Sequence, residues 1–180
     1  MAVYFMRRKD GVGPIKIGTA TDVKRRFDSI NAMVPDEVVI LATIQGNVYD
    51  EGRIHGVFAH ARHRGEWFRP TAGVMALVDH CRSLPDGERI AYPTLRRYAD
   101  LDGAAPASAW DRMLLAADGS GVDTSSRGLA RATGLAANTL GRAVLRGRTD
   151  ITGRRSVALA ALFGVNERWM ATGEGPMRGE

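Results

Sequence analysis

The chain has 180 residues, 44% hydrophobic and 25% charged, the proportions of an ordinary globular protein with a sizeable core. Its single cysteine, Cys81, cannot form an internal disulfide, which excludes a disulfide-stapled secreted fold and makes a cytoplasmic location the expectation. No apolar run approaches the ~20 residues of a membrane span, and a net charge of +5 with a pI ≈ 9.9 favours a polyanion as partner.

The opening MAVYFMRRKD places its charges after a short apolar stretch, the reverse of a secretory leader. VYFM (3–6) and IKIG (15–18) are β-branched and aromatic, and Gly11 and Gly13 between them allow a tight turn, so the two read as a β-hairpin. Residues 22–32 read as a helix: Asp22 is a fitting N-cap, and Val23, Phe27 and Ile30 recur at helical spacing before Pro35 ends it. EVVILATI (37–44) is a continuous apolar run, expected as a buried strand. In residues 49–63, Ile54, Val57, Phe58 and Ala61 make a helical apolar stripe. GEWFRPT closes the unit, and AGVMALVDHCRSL adds an amphipathic helix. This order predicts a small α+β domain over residues 1–84, with a three-stranded antiparallel sheet. Trp67 and Phe68 are expected in its core.

Residues 85–109 hold three prolines and two glycines without a sustained period, and read as a linker with one short helix. From Trp110 to the end the pattern is all-α. Residues 126–155 carry seven arginines against one acid, Asp150, so the positive charge is concentrated here.

RGLARATGLAANTLGRAVLRGR (127–148) has the spacing of a helix-turn-helix. Ala130 is small where two helices approach, and Gly134 can take the left-handed conformation of a sharp turn. Leu135, Leu140 and Ala143 fall on one buried face of the second helix. The other face shows Asn138, Thr139 and Arg142, side chains suited to base edges in the major groove. Arg146 and Arg148, with Arg154 and Arg155, are placed for phosphates. Together with SVALAALFGVNERWMATGEGPM (156–177), this region resembles the lambda-repressor-like domains of phage regulators, with Trp169 in the core. The resemblance covers residues 110–177 and implies double-stranded DNA as partner, with a homodimer compatible with a palindromic site.

The N-terminal hairpin is followed by an arginine eight residues after Gly18. With DEGRIHGVFAHARHRGEWF (50–68), it resembles the phage-type branch of the GIY-YIG nuclease superfamily. Tyr4 matches the tyrosine of the first signature triplet, and Ile17 and Gly18 match the second. Arg26 matches the helix arginine, with Arg25 the alternative if the register slips by one. Glu51 matches the metal-binding glutamate. His55, Arg62 and Glu66 match the branch's further polar positions, with Arg62 and Arg25 assigned to DNA. The sequence departs from the family where the second triplet begins with Lys16 instead of tyrosine, and where GEWF replaces a site asparagine.

The resemblance implies phosphodiester hydrolysis supported by Mg2+ or Mn2+. Glu51 would hold the metal, a hard cation that prefers carboxylate and water. Tyr4 would act as base or orient the water. With an ordinary phenol pKa of about 10, it needs a neighbouring cation, which Lys16 and Arg26 could supply. Arg26 would also clamp phosphate oxygens in a planar fork. His55 would shuttle a proton or shape the pocket, and Glu66 would serve as a ligand or an orienting group. The expected protein is a phage or prophage DNA endonuclease in a bacterial host cytoplasm, directed to DNA by its helix-turn-helix. The alternative is a non-catalytic transcription regulator with a degenerate nuclease domain.

Overall fold

The computed structural model describes residues 1–106, 108–134 and 154–178. An N-terminal antiparallel sheet is followed by a helical region, which is the expected α+β class. The predicted hairpin forms from β1 (Ala2–Arg8) and β2 (Ile15–Ala20), in the register Tyr4↔Gly18, Phe5↔Ile17 and Met6↔Lys16. Helix α1 (Val23–Asn31) starts as expected, with Asp22 accepting a hydrogen bond from the Arg25 backbone N–H.

β3 (Val38–Gln45) pairs with β1, but as the outer strand of the sheet, and Ile40 is 40% exposed. Its unbroken apolar run therefore does not make it a strand buried on both faces. A register shift between Phe5 and Met6 on β1 skips Leu41 and reverses the facing of β3 there. Val38 then joins one core, and Ala42 and Ile44 join the other. Apolar residues are needed on both sides of this strand, each over half its length.

The sheet also has two more strands than expected, in the order β3-β1-β2-β5-β4. Helix α2 (Val48–Val57) begins with an Asn47–Asp50 capping box and stops before Phe58. A 3-10 turn (Ala59–Ala61) leads into β4 (Arg62–Arg64) and β5 (Trp67–Phe68), which pairs with β2 through Ile15↔Phe68 and Lys16↔Trp67. Strands this short show no alternation that a sequence pattern could reveal.

The sheet is covered on both faces. Tyr4 and Met6 pack with Ile30 and Val38, against Val23 and Phe27 of α1. Val3, Phe5, Ile15 and Ile17 pack with Ile54 and Val57 of α2 and with Val74, Leu77 and Val78 of α3 (Ala72–Ser83).

Residues 85–109 do not form a loose tether. They contain α4 (Tyr92–Asp100), whose Tyr92, Leu95 and Ala99 are fully buried. Gly73 permits this packing, because a Cβ there would lie 2.3 Å from the Tyr98 carbonyl oxygen. The Tyr92 hydroxyl and the Arg96 guanidinium each reach the Asp111 carboxylate at 2.7 Å, tying α4 to α5 (Ala109–Asp118). Helix α5 in turn lies on α2. Trp110 stacks edge-on against Tyr49 at 6.0 Å, and the Ser108 hydroxyl donates to the Gly56 carbonyl at 3.2 Å. The Tyr49 hydroxyl donates to the Thr124 carbonyl at 2.9 Å. One apolar core therefore runs from Val3 to Met170.

The described part of the helical region continues through α6 (Ser126–Thr133), α7 (Arg154–Phe163) and α8 (Glu167–Thr172). Helix α6 ends at Gly134 with φ +67°, the left-handed turn expected of that glycine, and Trp169 is buried. Asn138, Thr139, Arg142, Arg146 and Arg148 lie outside the described residues, as do Leu135, Leu140 and Ala143. Among the described residues, no helix is long and apolar enough to cross a membrane.

Candidate active site at the edge of the second strand

Past Lys16, β2 no longer has β5 beside it, apart from one bond from the Ile17 N–H to the Glu66 carbonyl at 2.9 Å. Residues 18–20 thus form a short open edge, where polar groups from both faces of the sheet meet.

Tyr4 and Lys16 come from the α1 side. Tyr4 is 1% exposed and lies across Gly18 on the neighbouring strand. A Cβ at position 18 would come within 2.5 Å of the Tyr4 hydroxyl oxygen, so the glycine is what lets the phenol lie there. Arg26, one turn into α1, donates from Nε to that oxygen at 3.3 Å. The bond to Tyr4 raises the Arg26 pKa, assisted by the carboxylates of Glu66 and Glu51. Arg25 and Lys24 beside it are exposed. The Lys16 ammonium is buried and ion-paired to Glu66, on the turn between β4 and β5.

Glu51 and His55 come from α2, one turn apart on the face that meets β2. Glu51 is 7% exposed, and its Oε2 accepts from the Thr19 hydroxyl at 2.6 Å. Its Oε1 lies 3.8 Å from His55 Nε2, too far for a hydrogen bond. His55 Nε2 instead donates to the Ile17 carbonyl at 3.0 Å, which fixes the neutral ring in the Nε2–H form. Burial, reinforced by Arg62, pushes the His55 pKa down to about 4. The imidazole is therefore uncharged at neutral pH and gives Glu51 no counter-charge. Burial also raises the Glu51 pKa, opposed by the Thr19 hydroxyl and by Lys16.

Arg62 is half-buried at the start of β4. Its guanidinium lies over the Phe68 ring at 4.9 Å and donates to the carbonyls of His55 and Gly65. It braces the turn that carries Glu66. Thr19, which no sequence pattern singled out, is the residue that orients Glu51. Its signal was only its position one residue past Gly18, on the opposite side of the strand.

Among the described residues, no group of three His, Cys, Asp or Glu side chains gathers into a metal cage. Glu51 nevertheless fits a hard divalent cation: it is a buried carboxylate held by the neutral Thr19 hydroxyl, and among the described residues no lysine or arginine is ion-paired with it. Magnesium keeps several waters and needs only one or two protein carboxylates when phosphate oxygens complete its shell.

The low pKa of His55 makes stability depend on pH. The unfolded imidazole takes a proton near its ordinary value of 6.5, while the folded one resists until about 4. The unfolded state therefore binds more protons between these values, and stability falls as pH drops through that window. The expected loss between pH 7 and pH 5 is about 2 kcal/mol from this group, read as a lower midpoint in chemical denaturation. His55→Gln is expected to flatten the dependence.

Residues 1–84 match the model of the T5orf172 domain, a phage-associated domain found in endonuclease contexts. The match associates the N-terminal half with a phage-type nuclease-related or DNA-binding function. No curated protein and no solved structure gives a match.

Proposed function

We propose that the chain is a metal-dependent DNA endonuclease that hydrolyses phosphodiester bonds at the β2 edge and is brought to double-stranded DNA by a helix-turn-helix in its C-terminal half. The observation that carries this reading is the meeting of Tyr4, Arg26, Lys16, Glu66, Glu51 and His55 around one short strand edge, from five separate segments. The left-handed turn at Gly134 and the run of arginines after it support the DNA-directing half.

Each side chain has a distinct part. Glu51, held by Thr19, is the carboxylate for Mg2+ or Mn2+. When bound, that metal supplies Lewis acidity and charge neutralisation at the phosphate. Arg26 fixes the Tyr4 oxygen and keeps positive charge beside it, so Tyr4 can orient the attacking water or take its proton. Lys16 and Arg26 stabilise the charge that builds on the phosphate oxygens, and Glu66 holds Lys16 in place. His55 is too weak a base to carry a proton at neutral pH, and its bond to the Ile17 carbonyl suits it to shaping the pocket. Arg25 and Lys24, exposed on the first turns of α1, are available to the DNA backbone.

Incubation of supercoiled plasmid with the protein and Mg2+ or Mn2+ tests the reading. The expected result is nicked or linear plasmid, with the rate reduced about 10²–10⁴-fold in Tyr4→Phe. A protein that retards plasmid in a gel, yet leaves it intact in both metals, would instead be a non-catalytic regulator.

A further inference from the structure

Trp67 was expected in the core beside Phe68. Phe68 is fully buried, but Trp67 is only half-buried. It pairs with Lys16 across β2 and β5, so both side chains stand on the α1 side of the sheet, with the Lys16 ammonium 5.8 Å from the indole centroid. Trp67 is one wall of an open cavity of ≈ 290 Å³. Pro14, Val34, Pro35 and Val38 supply further apolar wall, and Arg8, His63 and Arg64 supply basic groups. Among the described residues that line it, one is acidic, Asp36, and it is paired with Arg8 at 3.1 Å. The Arg8 Nε is buried without an acceptor.

This is a small slot with an aromatic wall and a basic rim, and Trp67 places that wall beside Lys16 of the phosphate-handling cluster. Ligand sites typically measure about 300–1,000 Å³, so the slot has room for one flat group of modest size. A DNA strand whose phosphate lies at Lys16 carries its adjacent base within reach of Trp67. Indole stacks on any base, because every base has a π-face. Base carbonyls could satisfy the Arg8 donor, and Arg64 could hold the flanking phosphate.

We propose that this cavity seats one nucleobase, turned out of the strand being cut, against the face of Trp67. This rests on the nuclease reading of the neighbouring cluster. It makes the enzyme favour DNA in which a base leaves the stack readily, such as single strands, mismatches and duplex ends.

The test uses the full-length protein in EDTA, with fluorescence anisotropy of a labelled oligothymidylate and of an abasic oligomer of the same length. The expected result is about tenfold tighter binding of the oligothymidylate. Trp67→Phe keeps most of that preference, and Trp67→Ala removes it. Because Trp67→Ala also disturbs Lys16, Val34→Phe fills the cavity from a different element and is expected to remove the preference as well. Equal affinity of the wild type for both oligomers, with plasmid binding intact, overturns the base seat and leaves the nuclease reading standing. A preference that survives both Trp67→Ala and Val34→Phe also overturns the seat. Failure to bind either oligomer or plasmid overturns both readings.

Discussion

Glu51→Gln is expected to remove metal-dependent DNA cleavage while leaving the protein folded and able to bind DNA. The glutamine keeps the shape of the side chain, and its amide oxygen can accept the Thr19 hydroxyl as the carboxylate does now at 2.6 Å. What it lacks is the negative charge that attracts a hard cation. Losing a metal's charge stabilisation in the transition state is worth several kcal/mol, a rate loss of about 10³-fold or more. Burial already opposes the charged form of Glu51. A neutral group at that site should therefore leave the melting temperature unchanged or raise it. The pairing of lost cleavage with retained stability is what a catalytic carboxylate predicts, and a purely structural one would show the reverse. Undiminished nicking by Glu51→Gln in Mg2+ would remove Glu51 from the metal-binding role.

The same residue is expected to set the acid side of the cleavage profile. Metal binding needs the ionised carboxylate, so activity is expected to fall as pH drops through a Glu51 pKa above its ordinary value. Raising the Mg2+ concentration should move that limb to lower pH, because the cation competes with the proton.

Asp111→Ala is expected to be the most destabilising single change among the substitutions considered. Asp111 is fully buried, and it accepts from the Tyr92 hydroxyl and from Arg96, itself 7% exposed. Removing the carboxylate leaves the buried Arg96 with only the exposed Asp100 as counter-charge, and the buried Tyr92 phenol with only the Asp111 backbone carbonyl at 3.0 Å. Breaking one side of a buried pair costs roughly 3–5 kcal/mol. In a chain of this size that is a fall of about 10–15 °C in melting temperature, measured by calorimetry. Asp111 joins α4 to α5, and α5 rests on α2, the helix that carries Glu51 and His55. Asp111→Ala should therefore lower cleavage in step with the folded fraction. A cut after residue 100 should leave an unstable fragment, because it uncovers Tyr49, Tyr92 and Leu95. A loss below about 1 kcal/mol, the typical value for an ordinary substitution, would show that the halves do not depend on this buried network.

The local signals in the sequence translate directly into structure. Asp22 caps α1, Gly134 turns left-handed, and the β1–β2 hairpin sets Tyr4 opposite Gly18. These are short-range effects, decided by neighbouring backbone groups and by whether a Cβ fits. The candidate site was legible for a different reason. Tyr4, Gly18, Arg26, Glu51, His55 and Glu66 match the motif of a known family in its order, and that resemblance implied that separate segments converge. The motif order, the α+β class and the concentration of arginine near the C-terminus were all readable from the chain's residues alone.

Which partners these residues meet depends on how distant segments pack together. The bulge in β3 divides an unbroken apolar run between two cores. Helix α4 turns a Pro- and Gly-containing segment into the bridge between the two halves, because Tyr92, Leu95 and Ala99 find apolar surface on distant elements. Thr19 reaches Glu51, and Trp67 lines a surface cavity. Each of these depends on groups far apart in the chain. Burial and pairing energies across such distances leave no periodic trace in the sequence around the residues they hold.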